Sequence, residues 1–517
     1  MNRAANIQSA SSEYFDLVII GGGITGAGIV LAAARKGWKV LILDKNDFAS
    51  GTSSRSAKMI HGGLRYLQYL QIKLVKEALQ EREHLLKEYP HLVKPQPFFM
   101  PIYKSRLSKL KYGIGLSGYD YLSGDNSLPK HTSITQEEIK EKFPQINSDE
   151  MIGGFIYYDA QTNDARLTAE VIQQATDLGA VALNYCEVIA FNTTGKKVQS
   201  ISCIDKISGK KMTIMSNVFI SATGVWTDVV QKVFNKDDTT QYMMPSKGIH
   251  IVVSADHLPK DCVMLIPAAT GDARMLWCMP WEDNLNIIGT TDTDFKESPE
   301  EVVSEKEEID YLLDSVNAQL KSGKLTYENI LSVYAGLRPL LNDHDEGKKS
   351  SARSRDYSIW WNNENFLSIS GGKLTSFLSM ADHCLETIEE KHAIRAVKNE
   401  SIHIETLIDR FKSRYGIKNA TAIATIAQEN PEYLNKLAEY PYTFAELIFF
   451  IRFQNAVRID DLLTRRTLIT HQMQKWNDYA VTATAKILSK ELGWDETTTQ
   501  KEIDIYRKCW EIAHSWR

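Results

Sequence analysis

The sequence predicts an α/β fold, in which a parallel sheet covered by helices is followed by a separate helical region. Three observations lead to this class. Residues 16–44 follow the order strand, glycine turn, helix and strand, which is a βαβ unit and implies a parallel sheet. The middle of the chain, about 95–355, mixes short β-rich runs with helical patterns. Beyond about residue 400 the pattern becomes helix-rich.

The N-terminal elements are predicted to alternate between strand and helix. DLVII is predicted as a buried strand, ITGAGIVLAAARKG as an alanine-rich helix that closes on Gly37, and KVLILD as a second buried strand. A longer helix is predicted at about 66–89, because apolar residues recur there at spacings of three and four. A long stretch of chain separates the second strand from the strand-like run NVFISATG, so we expect one sheet to be built from separated segments.

The last part of the chain carries two helix-start patterns. Thr443 with Glu446, and Thr499 with Glu502, have the spacing of a capping box. We therefore predict a C-terminal helical domain over residues 401–517. Residues 14–400 are predicted to hold two domains that are interleaved in sequence.

Composition and charge exclude several classes of protein. The chain has 517 residues and a net charge of −5, so its overall charge does not attract nucleic acid. Its six cysteines show no CxxC pair or metal-ligand spacing, which suits a reducing compartment without disulfides or a metal site: Cys186, Cys203, Cys262, Cys278, Cys384 and Cys509. No secretory signal is expected. The densest apolar run, FAELIFFI, is too short for a transmembrane helix, whereas surface attachment to a membrane stays open.

A glycine motif predicts a dinucleotide cofactor. Gly21, Gly23 and Gly26 form GxGxxG directly after the first strand, where they allow a tight turn, a close approach to pyrophosphate and close helix packing. The helix N-terminus then presents N–H groups to the phosphates. Asp44 ends the second strand, where a carboxylate can accept hydrogen bonds from ribose hydroxyls. This motif alone does not separate FAD from NAD.

The segment after the second strand favours FAD. DFASGTSSRSAKMIHGGLRYL, residues 47–67, combines hydroxyl side chains with small residues that fit closely under a flat ring. Its hydroxyls can donate to phosphate and to flavin carbonyl oxygens: Thr52, Ser53, Ser54 and Ser56.

An ordered set of motifs resembles one family. Residues 47–67 are similar to the signature of the FAD-dependent glycerol-3-phosphate dehydrogenases, within the D-amino-acid-oxidase-like flavoproteins. The resemblance continues through SATGVWTD (221–228), PSKGIHIVV (245–253), GTTDTD (289–294), YAGLRPLL (334–341), SGGKLTS (370–376) and DDLLTRRT (460–467). It implies a Rossmann-like FAD-binding domain with a mixed-sheet substrate domain. Asp44 departs from the pattern, since the family more often has Glu there.

The resemblance also implies an activity and its residues. Such an enzyme oxidises the C2 hydroxyl of sn-glycerol 3-phosphate to the ketone of dihydroxyacetone phosphate. Cations should bind the phosphate, and a histidine should accept the hydroxyl proton, with the two histidines unranked. The implied substrate residues are Arg65, Tyr66, Arg338 and Lys373, and the implied catalytic residues are His61, His250 and Arg338, the last stabilising the developing oxyanion. The other matched residues would bind FAD without a covalent link: Ala222, Thr223, Gly224, Gly372, Lys373, Leu374 and Thr375.

Two alternatives remain at this stage. An oxidase would use oxygen on the same substrate, but that branch tends to carry an insertion between the matched arginine and lysine, and here Arg338 and Lys373 are 35 positions apart. An FAD-containing RNA-modification or scaffold protein would need a basic nucleic-acid face, against which the acidic net charge argues.

The favoured dehydrogenase passes electrons to a quinone. We expect it to be cytoplasmic, with peripheral attachment to the inner face of the cell membrane as an option and a dimer as a compatible assembly. Residues 103–122, which mix cations with apolar and aromatic residues, are the local candidate for a membrane contact.

Overall fold

The computed structural model describes residues 3–64, 67, 71–103, 105–124, 128–271, 274–342, 357–392 and 408–515. Its α-helices in this part of the chain are α1 (Arg3–Ser12), α2 (Ile24–Arg35), α3 (Ile72–Glu88), α4 (Arg106–Ser123), α5 (Gln136–Lys142), α6 (Asp164–Asp177), α7 (Thr227–Phe234), α8 (Lys306–Gln319), α9 (Phe377–Glu389), α10 (Ile408–Glu429), α11 (Phe444–Gln454), α12 (Ile469–Gln472), α13 (Asp478–Leu492) and α14 (Glu496–Ala513).

The strands of the same residues are β1 (Tyr14–Ile20), β2 (Val40–Leu43), β3 (Met59–Ile60), β4 (Lys94–Tyr103), β5 (Thr132–Ile134), β6 (Met151–Gln161), β7 (Val181–Leu183), β8 (Cys186–Thr194), β9 (Lys197–Asp205), β10 (Lys211–Ser221), β11 (Ser246–Ser254), β12 (Val263–Pro267), β13 (Met275–Trp281), β14 (Leu285–Gly289), β15 (Thr293–Asp294), β16 (Ile330–Arg338), β17 (Tyr357–Trp361) and β18 (Phe366–Gly371).

The first sheet has the predicted parallel strands at its centre and is built from separated segments as expected, while β17 and β9 join it through antiparallel pairs. Its strand order is β17-β18-β10-β1-β2-β7, and β8 and β9 extend it beside β10. β1 pairs in parallel with β2 and β10, and β10 pairs in parallel with β18. The strands at its centre are continuously apolar because both faces are buried, one against α2, α6 and α9 and the other against α1, α7, β8 and β9. The βαβ unit at the N-terminus is thereby confirmed.

The second sheet is mixed, as the resemblance implied. Its order is β15-β11-β14-β13-β12-β4-β6-β3, with β16 paired to β11 and β5 paired to β6. β12 and β4 run parallel, whereas the other recorded pairs of this sheet are antiparallel. Buried residues cover both faces, one of them under α5 and α8. The α/β fold class with two sheets is therefore confirmed.

The C-terminal part has a helical core of its own, formed mainly by α10, α11, α13 and α14. The predicted boundary at residues 400 and 401 lies outside the described residues and stays a prediction. The capping box of Thr443 and Glu446 opens α11 as expected. The second capping box was wrong, because Asp495 is the N-cap of α14 and accepts from the N–H of Thr498. Helix α3 begins at Ile72, within the predicted range.

Candidate active site

The predicted cofactor residues meet at one edge of the first sheet. The glycine turn follows β1, Asp44 follows β2, Ala222 to Gly224 follow β10, and Gly372 to Thr375 follow β18. Because these four strands run parallel, their carboxyl ends lie side by side. In open α/β sheets this edge is where dinucleotides bind.

The glycine turn leaves no room for side chains. Gly21 has φ of +112°, and a Cβ there would lie 2.4 Å from the carbonyl oxygen of Ala222. A Cβ at Gly26 would lie 1.9 Å from the carbonyl oxygen of Gly21. Helix α2 then begins with Gly23 as its N-cap, which has no side chain of its own to cap the helix. The first N–H groups of the helix therefore face the turn, as a pyrophosphate site requires.

Asp44 is held by backbone on the neighbouring turns. One carboxylate oxygen accepts from the N–H of Gly22 at 2.7 Å, and the other accepts from the N–H of Asn46 at 2.8 Å. Burial raises the pKa of the Asp44 carboxyl to about 6, although these two N–H groups oppose the shift. Each oxygen keeps a lone pair that a ribose hydroxyl can use.

The hydroxyl segment lies across the end of the site and is held there by hydrogen bonds of its own side chains. Residues Thr52–Ser54 form a 3₁₀ turn. The hydroxyl of Thr52 donates to the carbonyl oxygen of Leu337 at 2.8 Å, and that of Ser53 accepts from the N–H of Ile24 at 2.9 Å. The Ser54 hydroxyl donates to Gly51 at 3.4 Å. The segment thus joins the two sheets at the glycine turn.

Ser56 has a different partner from the phosphate or flavin that the sequence suggested. Its hydroxyl donates to the carboxylate of Asp164 at 2.7 Å, at the start of α6. The buried ammonium of Lys58 pairs with the same carboxylate at 2.6 Å and also contacts the carbonyl oxygen of Ser54. The buried ion pair of Lys58 and Asp164 therefore holds the hydroxyl segment against the start of α6. Sequence reasoning missed Lys58 and Asp164, because 106 positions separate them.

The loops after β10 and β18 complete this edge. The Thr223 hydroxyl lies 3.0 Å from that of Ser221. Gly371 and Gly372 have φ of +90° and +85°, and a Cβ at Gly372 would meet the sulphur of Met380 at 2.4 Å. Lys373 then precedes a 3₁₀ turn over Leu374–Ser376.

The candidate histidines share one face of the second sheet. His250 on β11 pairs with Gly289 on β14, which in turn pairs with Trp277 on β13. The His61 ring packs against Trp277, with 6.0 Å between ring centroids. Since neighbouring strands are about 5 Å apart, His250 and Trp277 are separated by about 10 Å across this face. His61 and Thr375 are also joined, because the His61 N–H donates to the Thr375 hydroxyl at 3.4 Å.

His250 is a buried histidine without hydrogen bonds. Its side chain is 5% exposed, and neither ring nitrogen has a hydrogen-bond partner among the described residues. The ring stacks on Tyr334 at 4.7 Å and leans over Gly289, where a Cβ would lie 2.2 Å from it. Burial, then Arg338 and Lys58, hold the pKa of His250 well below its ordinary value. The ring is therefore neutral at neutral pH.

Arg338 ends β16 and reaches back over the same face. Its Nη1 donates to Ser246 Oγ at 3.2 Å, to the Lys247 carbonyl oxygen at 3.3 Å and to Asp292 at 3.2 Å. Its Nη2 donates to Thr290 Oγ1 at 3.2 Å and to the Thr291 carbonyl oxygen at 2.9 Å. Glycine on β11 makes this possible, since a Cβ at Gly248 would lie 2.6 Å from Nη2. The GTTDTD motif therefore orients the guanidinium.

The DDLLTRRT motif lies at the junction of the C-terminal helices and the hydroxyl segment. Asp47, fully buried, pairs with Arg465 at 2.7 Å and with Arg466 at 3.0 Å. The two arginine cations outweigh burial and lower the pKa of Asp47. Asp461 contacts Arg465 at 2.6 Å and accepts from the hydroxyl of Tyr185. The sequence showed the match of the DDLLTRRT motif, but it did not predict this cluster of buried ion pairs.

Some predicted residues cannot be located. Arg65 and Tyr66 lie outside the described residues. Within the described ranges, no cluster of histidine, cysteine, aspartate and glutamate side chains has the makings of a metal site. No helix of the same residues is long and apolar enough to cross a membrane.

Comparison with known proteins agrees with this geometry. Residues 16–376 match the model of the FAD dependent oxidoreductase family, and residues 367–499 match the C-terminal domain of alpha-glycerophosphate oxidase. The mitochondrial glycerol-3-phosphate dehydrogenase of Bos taurus is 32% identical over 96% of this chain and 73% of its own length. Glycerol-3-phosphate dehydrogenase 2 of Mycobacterium bovis is 33% identical over 98% of this chain and 89% of its own.

Solved structures are similar as well. The glycerol-3-phosphate dehydrogenase of Bacillus halodurans, complexed with FAD, has a TM-score of 0.78 at 25% identity, and the match covers 99% of this chain and 97% of that one. The L-alpha-glycerophosphate oxidase of Mycoplasma pneumoniae, with FAD bound, has a TM-score of 0.59 at 16% identity, covering 75% of this chain and 97% of that one. The second likeness shows a shared fold.

Proposed function

The chain belongs to the FAD-dependent glycerol-3-phosphate dehydrogenases, and from this membership we propose that it oxidises the C2 hydroxyl of sn-glycerol 3-phosphate to give dihydroxyacetone phosphate. One observation carries the proposal. The edge that fits a dinucleotide borders the sheet face on which Arg338 and His250 lie, and the Thr52 hydroxyl joins the two at the Leu337 carbonyl oxygen. Cofactor and substrate would therefore meet where a cation and a neutral imidazole are available.

The residues of this edge fit FAD. Gly21 and Gly26 exclude a Cβ, Gly23 supplies no capping side chain at the start of α2, and Asp44 keeps carboxylate lone pairs beside the turn. Gly21, Gly23 and Gly26 with Asp44 would hold the adenosine and pyrophosphate end, and the loop from Gly372 to Thr375 would hold the other end. Bound FAD supplies the two-electron oxidant, which takes the C2 hydrogen with its electron pair.

Arg338 is our proposed substrate cation. Its guanidinium is fixed by Asp292, Thr290 and Thr291, and a planar fork of N–H groups suits phosphate or a developing oxyanion. The arrangement needs no reorganisation as charge develops on the C2 oxygen, which favours catalysis. We assign Arg65, Tyr66 and Lys373 to the same substrate by family resemblance.

We propose His250 as the acceptor of the hydroxyl proton. Its ring is neutral and its nitrogens make no hydrogen bond with the described residues, so that a lone pair can accept a hydrogen bond from the C2 hydroxyl and then its proton. The lowered pKa makes this ring a weaker base than an exposed histidine. His61, which packs on Trp277 across the same face, is the second candidate. Arg338 close to His250 would oppose the resulting positive charge, so the proton must then leave for solvent or a neighbour.

We further propose a membrane quinone as the electron acceptor, reached by docking of α4 on the cytoplasmic face. Three apolar side chains on this helix are strongly exposed at helical spacing: Leu107 (75%), Leu110 (60%) and Ile114 (66%). Arg106, Lys109 and Lys111 are interspersed with them. A helix with exposed apolar residues and cations is typical of an interfacial contact with anionic lipid.

Anaerobic mixing with glycerol 3-phosphate tests the function. The visible absorbance of bound oxidised flavin should bleach, and dihydroxyacetone phosphate should form in equal amount. In the His250→Asn variant, which keeps FAD, bleaching should be slower by a factor of about 10² or more. Absence of bleaching in the wild-type protein would overturn the proposal. A quinone analogue should then restore the colour, whereas faster recovery with oxygen and release of peroxide would identify an oxidase.

A further inference from the structure

A buried polar cluster lies behind the segment that carries His61. The Arg82 Nη1 of α3 pairs with the carboxylate of Asp159 on β6 at 2.6 Å. The hydroxyl of Tyr119 on α4 contacts both oxygens of that carboxylate at 2.9 Å. Arg82, Tyr119 and Asp159 are each at most 2% exposed. Three separate elements therefore converge on one buried carboxylate.

The cluster makes direct contact with the backbone next to His61. The N–H of Gly62 donates to the Tyr119 hydroxyl at 2.8 Å and lies 3.3 Å from Asp159. Gly62 has no space for a side chain, because a Cβ would lie 2.5 Å from the Tyr119 oxygen and 2.4 Å from Leu79. The preceding N–H, that of His61, donates to Thr375. Two successive N–H groups are thus held from opposite sides.

We propose that Tyr119 and Asp159 are positioning residues, which fix the His61–Gly62 backbone and so set the place of His61. Burial, and then Asp159, raise the pKa of the Tyr119 hydroxyl well above its ordinary value, so it keeps its proton. It therefore donates to Asp159 while it accepts from Gly62, and Arg82 balances the carboxylate. This inference rests on the proposed function, because it concerns the reductive step with glycerol 3-phosphate.

The arrangement is more than a packing contact. A buried carboxylate with an arginine partner needs no tyrosine to balance its charge, and the Tyr119 ring already packs with Val75 and Leu79. The hydroxyl adds a single bridge, from the carboxylate to one backbone N–H beside a candidate catalytic residue. Small displacements of such a residue have large effects on rate. Removing the hydroxyl alone should therefore separate catalysis from folding.

Tyr119→Phe is the test variant, and Tyr121→Phe, on the same helix with an 85% exposed side chain, is the matched control. Amide hydrogen exchange is measured on the peptide that spans residues 59–64. In Tyr119→Phe, the Gly62 amide should exchange about tenfold faster, because one hydrogen bond of a buried N–H is lost. Tyr121→Phe should exchange like the wild type. Equal exchange in all three proteins would overturn the proposal.

Kinetics give the second readout. Bleaching by glycerol 3-phosphate should slow about tenfold in Tyr119→Phe, whereas reoxidation of its reduced flavin by a soluble dye should keep the wild-type rate. A merely structural role would lower stability or FAD content without this split between half-reactions, and an unchanged bleaching rate would refute positioning. If the wild-type flavin does not bleach at all, the proposed function itself fails.

Ser123→Ala covers the case in which Tyr119→Phe loses FAD. Ser123 accepts from Arg82 Nη2 at 2.6 Å, and without it Arg82 keeps Asp159 and Glu83. This mild variant should fold and should shift Gly62 exchange and bleaching in the same direction by about twofold, since the remaining hydrogen bonds hold most of the geometry. Wild-type values for both in Ser123→Ala would then count against the proposal.

Discussion

Replacement of Arg338 separates its charge from its planar shape. In the structure Nη1 contacts Ser246 and Lys247 of β11 as well as Asp292, and Nη2 contacts Thr290 and Thr291 of the loop that follows β14. Arg338→Ala removes both sets together with the charge. Arg338→Lys keeps the charge, but a single ammonium cannot span both sets, so the cation loses its fixed orientation.

The expected magnitudes follow from these contacts. A charge-assisted contact to phosphate or to a developing oxyanion contributes about 1.5–3 kcal/mol, so Arg338→Ala should lower the efficiency of flavin reduction by roughly ten- to hundred-fold. Arg338→Lys should fall between this and the wild type. Arg338→Ala also leaves Asp292 without its cation, and the free energy of unfolding should decrease by about 1–3 kcal/mol.

The assay is anaerobic stopped-flow bleaching over a range of glycerol 3-phosphate concentrations, with FAD content measured beforehand. Arg452→Ala is the control, because Arg452 also makes two ion pairs, with Glu429 and Glu491, but lies on α11 among the C-terminal helices. It should alter stability only. Wild-type bleaching kinetics in Arg338→Ala would remove Arg338 from the site, and an equal loss in Arg452→Ala would point to a general effect on folding.

Acid precipitation should release FAD into the supernatant, and colour retained on the chain would contradict non-covalent binding. Replacement of Arg106, Lys109 and Lys111 with Gln should weaken binding to anionic vesicles and quinone reduction, but not activity with a soluble dye. Salt should likewise weaken vesicle binding by the wild type, since charges are screened within about 10 Å at 0.1 M. Unchanged vesicle binding by the variant would exclude α4 as the contact. Burial, then Lys58 and His514, lower the pKa of His471 to about 3, so its contribution to stability is lost as pH falls below its ordinary value. His471→Asn should therefore lose about 2–3 kcal/mol less than the wild type between pH 7 and 4.5, measured by urea unfolding, and parallel curves would refute this.

Local sequence patterns predicted the fold where residues close together in the sequence determine the structure. The βαβ unit is one such case, because residues 16–44 alone carry the whole pattern of apolar strand, glycine turn and helix. The two capping-box patterns show the limit. Thr443 is an N-cap, but at Thr499 the stronger acceptor Asp495 begins the helix one turn earlier, and the Thr499 hydroxyl donates to the Asp495 carbonyl oxygen instead.

The sequence supplied candidates for the site but not the connections between them. Motif matching gave Arg338, His250 and the cofactor loops, because each matches a segment of the family. Asp159 and Tyr119 carry no motif, and their partner Gly62 is 97 and 57 positions away. Buried charges of this kind show no periodicity, because their position depends on which distant elements meet. Ser56 shows the same effect, since its hydroxyl bonds Asp164.

The order of strands in the first sheet has a consequence for synthesis of the chain. β1 pairs with β10, and β10 pairs with β18, so the edge that would hold FAD is assembled from residues 14–20, 211–221 and 366–371. Contacts of such high sequence separation form slowly, and domains begin to fold from the N-terminus during translation. The N-terminal βαβ unit must therefore wait, with one side of β1 unpaired, until residues 211–221 have left the ribosome, and the edge is complete only after residues 366–371 have followed. During that interval β1 presents an apolar edge on which a chaperone can act, and free FAD has no complete site to bind.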